Sequence, residues 1–362
     1  MSLGRQVFFW ISALVVFILF LFVFRTILLP FVAGTILAYL FNPVAGRIER
    51  LGFNRLVATL ILLGGFLLIV VVGMILLMPV LSHQVGGFVS NLPGYVTQLQ
   101  RWVVTTFQGS RLGSVFGTSL QDLQTSLGSV TSDAASWLAG IVGSVWSGSQ
   151  TIISSAALVV LTPVIAFYLL LDWDRMTAQV DGWLPRDHAP TIRRLLAEIN
   201  AGVSGYIRGQ VSVCLILGVY YAVGLTLVGL NFGILIGIMI GVISFIPYVG
   251  ATVGLVTAVG VAVAQFWPEY ASIGYVIVVF VIGQFLEGNI LQPKLVGEHV
   301  GLHPVWLIFA LFAFGTLFGF VGMLVAVPAS AAVGVLARFA LQRYLESPLY
   351  RGTRNGNGSG AS

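Results

Sequence analysis

Charge is what this 362-residue sequence has least of: Asp, Glu, Lys and Arg together make up 8% of it, with one lysine, Lys294, and one cysteine, Cys214. An ordinary soluble domain carries roughly 25% charged residues. Too few polar side chains are present to cover a water-facing surface, so apolar ones must face something else. The lone cysteine excludes an intrachain disulfide and, set in an apolar stretch, reads as a buried thiol. Three signatures are missing: G-x-x-x-x-G-K-[ST], H-E-x-x-H and G-x-S-x-G. ATP hydrolysis by the usual loop is therefore excluded, and neither an enzyme activity nor a cofactor is expected. Any pumping must draw on an ion gradient or a partner subunit. The net charge of +5 does not point to nucleic acid, because the arginines sit between apolar runs instead of forming a patch with interleaved aromatics.

What is there is hydrophobic: 58% of the chain, in runs long enough to cross a bilayer. The fold class this predicts is all-α and polytopic, with about eight transmembrane helices and broken or re-entrant segments in the C-terminal third. Residues 1–82 carry the first three spans. The opening run, 7–24, reads as a span and not a cleaved signal peptide, since no A-x-A site follows it. The second span is broken early by Pro30 and ends at Asn42-Pro43. Residues 83–149 turn richer in Ser, Thr, Gln and Gly, and read as an amphipathic extracytoplasmic region. Residues 150–171 form the fourth span. Residues 172–208, with five acids and five arginines, form a cytoplasmic amphipathic segment whose helix starts at Pro190. Residues 209–345 are a C-terminal transmembrane bundle with breaks at Asn231, Pro247-Tyr248, Trp267-Pro268, Gln292-Pro293 and Gly319. The tail, 346–362, is Gly/Asn/Ser-rich and reads as disordered. With the first residue inside the cell, 14 of the 17 basic residues fall on the cytoplasmic side, and both termini with them.

Three features of the last third stand out. Gly233, Gly237 and Gly241, then Gly250 and Gly254, recur at four-residue spacing and let helix backbones approach closely. They suit either static packing or a surface that slides. Pro247, Tyr248 and Gly250 interrupt an apolar run, giving either a packed kink or a broken helix that lines a pathway. Glu287 lies deep in another apolar run with Gln284 and Asn289 beside it, and Lys294 is a candidate counter-charge across Pro293. A charged carboxylate facing lipid costs several kcal/mol, so Glu287 faces the bundle interior as a coupling group, or else reaches water at the interface. Asp172 and Asp174 around Trp173 read as an interfacial anchor. His299 and His303 have metal-ligand spacing, but Gly301 and Pro304 put them on a loop or helix end, and no metal is expected.

Together these pieces resemble the AI-2E family of bacterial membrane proteins, named for export of autoinducer-2. The resemblance is carried by residues 36–44 (Ile-Leu-Ala-Tyr-Leu-Phe-Asn-Pro-Val), 91–95 (Asn-Leu-Pro-Gly-Tyr) and 172–175 (Asp-Trp-Asp-Arg). It extends through 205–210 (Gly-Tyr-Ile-Arg-Gly-Gln), 245–250 (Phe-Ile-Pro-Tyr-Val-Gly) and 287–294 (Glu-Gly-Asn-Ile-Leu-Gln-Pro-Lys). It implies a secondary transporter of the bacterial inner membrane that moves a small hydrophilic signal such as autoinducer-2, or exchanges sodium for protons. A homo-oligomer is implied as the assembly, with a pentamer as its specific form. A passive channel and a non-transporting scaffold are the alternatives.

Overall fold

The computed structural model describes residues 3–107, 151–297, 303–347 and 350. The chain forms helices α1 (Leu3–Val23), α2 (Leu28–Arg50), α3 (Arg55–Phe107), α4 (Thr151–Leu171), α5 (Trp173–Gly182) and α6 (Ala189–Leu227). There follow α7 (Gly233–Ile243), α8 (Val249–Phe266), α9 (Tyr270–Leu286) with a π-helical extension (Glu287–Val296), and α10 (Pro304–Glu346). Among the described residues six helices are long and apolar enough to cross a bilayer, and the shorter apolar pieces Val160–Leu171 and α7 accompany them. Many apolar side chains in the first half of α3, among them Ile69, Ile75 and Leu76, stand exposed. In a bilayer that face meets lipid, and every helical backbone group is satisfied within its own segment. The protein is an all-α polytopic membrane protein.

Arg55 sets one end of the bundle. Its guanidinium donates to the Leu170 carbonyl at 2.8 Å, to Glu49 Oε2 at 3.1 Å and to Asn42 Oδ1 at 2.6 Å. One side chain thus joins the C-terminal ends of α2 and α4 to the start of α3. Arg55→Ala should lower stability by about 2–3 kcal/mol, the range for partly buried charge-assisted bonds. Chemical unfolding in detergent micelles measures it.

Five expected breaks are not breaks. Pro43 lies inside α2, which continues to Arg50 with Asn42 held by Arg55. Pro30 falls in the first turn of the same helix, where its missing N–H has no helical partner to lose. Residue 83 marks no boundary either, because α3 is one helix of 53 residues. At about 1.5 Å per residue it is ~80 Å long, so it projects well beyond the bilayer. Of the expected amphipathic region 83–149, positions 108–149 lie outside the described residues. The charged helix that starts at Pro190 runs straight into the apolar span as the 39-residue α6. Finally, Pro293 sits within the π-helix, and the chain turns only at Gly297.

Helix α6 is the axis of the C-terminal half. Its buried face, including Tyr206, Val213, Leu217, Tyr221 and Leu225, forms the largest core cluster. Helix α7 runs antiparallel to it: Gly241 faces Gly218, Gly237 faces Ala222 and Gly233 faces Thr226. Helix α8 then returns, and Gln265 near its end accepts from the Asn231 N–H at 2.7 Å and donates to the Gly229 carbonyl at 2.9 Å. Helices α7 and α8 therefore enter and leave at the same end, as a re-entrant hairpin. At 11 residues, or ~16 Å, α7 is too short to cross a hydrocarbon core of about 30 Å.

Helix α10 makes a second hairpin. Gly319 has φ 62° and ψ −141°, a conformation open essentially to glycine. The reversal brings Gly315 against Met323 and Gly322 against the Phe314 carbonyl. Arg338 meets Glu198 near the start of α6 at 3.4 Å, so this hairpin opens toward the Arg55 end. The two hairpins approach from opposite ends and touch where Ile246 packs against Leu311 and Ala326.

Candidate functional site

The first hairpin ends in a non-helical turn, residues 244–248, buried against α6. Pro247 has no N–H for the Ile243 carbonyl, which accepts from the Ile246 N–H at 2.9 Å instead. Tyr248 then takes φ 68°, a left-handed value that costs a side-chain-bearing residue of order 1–3 kcal/mol. The Ser244 and Phe245 carbonyls lose their helical partners, and α6 replaces them. Gln210 Nε2 donates to the Ser244 carbonyl at 2.6 Å, and the Tyr206 hydroxyl donates to the Phe245 carbonyl at 3.3 Å. Gln210 is 1% exposed and Ser244 3% exposed. Among the described residues, Gln210 Oε1 and Ser244 Oγ have no hydrogen-bond partner. Gly250 is buried, and a methyl group there would meet the Ser244 N at 2.5 Å. Pro247 is half-buried, and Tyr248 points outward.

Gln210→Ala should destabilise the protein by about 2 kcal/mol, since it leaves a buried carbonyl unpaired. Tyr206→Phe, which loses the longer bond, should cost about half as much. Thermal unfolding in detergent orders the two.

The second set of candidates lies on the same face of the bundle, along α9 and its π-helix, which run antiparallel to α6. Val279 meets Gly224, Gln284 meets Tyr221, and the Leu295 carbonyl lies against Gly209. Glu287 therefore lies between the levels of Gly209 and Tyr221. That is ~25 Å along the helix from Tyr270 and ~10 Å before Lys294. It opens the π-helix, a wider winding that recurs at functional sites. Its carboxylate is half-buried and accepts from Gln284 Nε2 at 3.3 Å. Gln284 Nε2 also lies 3.4 Å from the Tyr221 hydroxyl, linking the carboxylate to the core of α6.

Other members of the expected cluster do not join it. Asn289 donates to the Phe285 carbonyl one turn back, and Pro293 and Lys294 are exposed. Among the described residues no ion pair joins Lys294 to Glu287, so the expected counter-charge is not in place. The wider π-helical winding takes away the register that stacks residues seven apart on one face of an α-helix. Gly233, Gly237 and Gly241 lie against the backbone of α6, and Gly254 lies against Ile240 at 2.5 Å from the position of a methyl group. His303 closes the start of α10, its Nδ1 accepting from the Val305 N–H at 3.3 Å; His299 falls outside the described residues.

Sequence reasoning missed Tyr206, Gln210, Ser244 and Tyr221 as site residues. Tyr206 and Gln210 are four apart, on one face of α6, and that spacing was the available signal. At the opposite end of the hairpin, α3 supplies a clasp. Gln84 Oε1 accepts from the Leu235 N–H at 2.9 Å, and Phe88 and Tyr95 pack edge-on against Phe232. The Asn91–Tyr95 segment thereby meets the entry turn of α7.

A broken helix and a half-buried carboxylate along one shared helix form the kind of interior that membrane transporters use. Known proteins have similar sequences. A family model described as AI-2E family transporter matches residues 11–341. "Putative transport protein YueF" of Bacillus subtilis is 28% identical over 85% of this chain and 82% of its own length. "Putative transport protein YrrI" of the same organism is 29% identical over 87% and 86%. "Putative permease PerM" of Escherichia coli is 28% identical over 86% and 87%. A match of this extent, on a bundle of membrane-spanning helices, shows that the chain belongs to the AI-2E family of transporters.

Proposed function

We propose that this protein is a secondary transporter in which Glu287 binds the coupling proton or cation, while the unwound turn 244–248 shapes the path of the solute. One observation carries the reading: Glu287 lies ~10 Å inside the Lys294 end of its helix, half-buried, bonded to Gln284 and, among the described residues, paired with no cation. A carboxylate held there is costly to keep charged, so its occupancy by a proton or cation has a large effect on which conformation is favoured. The cargo is a small hydrophilic molecule of the autoinducer-2 kind, or sodium exchanged for protons, in keeping with the family's name. The arginine distribution supports placement in the bacterial inner membrane with the α1 start and the α10 end cytoplasmic. A homo-oligomer, as a pentamer, is the assembly that goes with this reading. Neither nucleic acid nor a cofactor enters the mechanism.

Reconstitution in liposomes tests it. Autoinducer-2, sodium and proton fluxes are followed in parallel under imposed sodium and pH gradients. Uphill movement of one of them driven by a gradient of another is expected. Flux of any solute that ignores every gradient but its own would make the protein a passive channel, and no flux at all would make it a scaffold.

A further inference from the structure

Two neighbouring clefts lie at the Arg55 end, where the chain leaves α4. The larger, about 480 Å³, runs between α2, α5 and the start of α6. Tyr39 and Trp173, packed edge-on at 5.1 Å, close its inner end, and Met176, Val180 and Leu196 form its apolar walls. Asp181 and Arg193 brace the two helices with paired bonds of 2.5 and 2.7 Å. The guanidinium holds the Asp181 carboxyl below the usual carboxylate range. This brace is therefore complete above about pH 4 and is lost only as pH falls through the lowered value, so the cleft persists at any physiological pH. The second cleft, about 260 Å³, shares Met176 with the first and carries the polar side chains of Asp172, Arg175 and Gln179 beside Tyr168 and Leu169.

The charges in the smaller cleft are opposite in sign and three residues apart. They form no ion pair with each other or with any group among the described residues. Asp172 heads α5 without its side chain capping that helix. Directly before it, α4 is apolar up to Leu171, which sets both clefts at the edge of the hydrocarbon. An apolar slot beside an unpaired carboxylate and an unpaired guanidinium, at that depth, complements a zwitterionic amphiphile.

We propose that the paired clefts bind an aminophospholipid of the phosphatidylethanolamine type. Its phosphate meets Arg175 and its primary ammonium meets Asp172, while one acyl chain fills the slot between Val180 and Leu196. A primary ammonium donates hydrogen bonds to a carboxylate, whereas a choline headgroup has none to give and a glycerol headgroup lacks the charge. The proposal depends on the membrane fold and not on what is transported.

The test uses the full chain purified in mild detergent and native mass spectrometry. Palmitoyl-oleoyl phosphatidylethanolamine, phosphatidylcholine and phosphatidylglycerol are supplied at equal mole fraction. The wild type should retain the ethanolamine lipid about tenfold over the other two, the worth of one charge-assisted hydrogen bond. Asp172→Asn should remove that preference and leave phosphatidylcholine retention unchanged. Arg175→Gln should lower retention of all three, and so should Val180→Trp, which fills the slot from an exposed position. Leu196→Trp does the same from the opposite wall and stands in should Val180→Trp fail to fold. Free phosphoethanolamine at equal concentration should displace nothing, because it lacks the acyl chain. Equal retention of the three lipids by the wild type, undiminished preference in Asp172→Asn, or displacement by phosphoethanolamine would each overturn the proposal.

Discussion

Glu287→Gln should abolish gradient-driven flux, by tenfold or more, in a protein that still folds and assembles. The substitution preserves size, and its amide oxygen still accepts from Gln284 Nε2, the bond the carboxylate makes at 3.3 Å. What it removes is the capacity to bind and release a proton or to neutralise a cation. A permanently neutral side chain no longer has two states whose charge costs differ, so it cannot bias one conformation over another. Proteoliposomes loaded at one pH and diluted into another give the measurement, and size-exclusion profiles show whether assembly is kept. Gln284→Ala is the companion variant. It loses the link from the carboxylate to the Tyr221 hydroxyl and should slow flux without abolishing it, because the titratable group remains. Wild-type flux in Glu287→Gln would end the coupling role and favour a passive route through the same bundle.

The membrane character and most apolar runs were legible in the sequence, since a bilayer imposes both length and composition on a helix. The expected breaks fared unevenly, for a physical reason. Proline rules are local, whereas Pro43 and Pro293 sit where tertiary partners or a wider helical winding absorb the missing N–H. Pro247 and Gly319 behave as read, because each stands beside a residue with positive φ or adopts one itself. The shifts in composition near residues 83 and 208 mark a change of surroundings, not of backbone, so α3 and α6 run through them. Glu287 and Gln284 were legible as a pair because they are three apart on one helix. Gln210 was not, because its meaning depends on a carbonyl 34 residues away that only the fold brings near. Lys294 was drawn toward Glu287 by charge alone, and the π-helix decides otherwise.

Gly237→Ala should be the most destabilising small substitution in the hairpin, with a loss of about 3 kcal/mol or more. In lipid no hydrophobic force drives one apolar helix onto another, so α7 is held to α6 by close van der Waals contact and by hydrogen bonds at its ends. A methyl group at Gly237 would overlap the Ala222 backbone N and Cα, which belong to a rigid helix and cannot rotate aside. At Gly241 the clash would be with the Gly218 Cα at 2.6 Å, and at Gly233 with the Thr226 N at 2.8 Å. Relief requires α7 to lift as a unit. That would pull the Ser244 and Phe245 carbonyls from Gln210 and Tyr206, and the Leu235 N–H from Gln84. The cost is thus overpacking, typically 1–3 kcal/mol, plus part of three hydrogen bonds. Gly260 on α8 is the control, since nothing lies within 4 Å of a methyl group there. Gly260→Ala should leave stability unchanged or raise it by up to ~1 kcal/mol through helix propensity. Equal melting temperatures for the two variants would show that the α6–α7 contact is loose enough to slide, and the glycine face would then belong to the moving parts of the transporter.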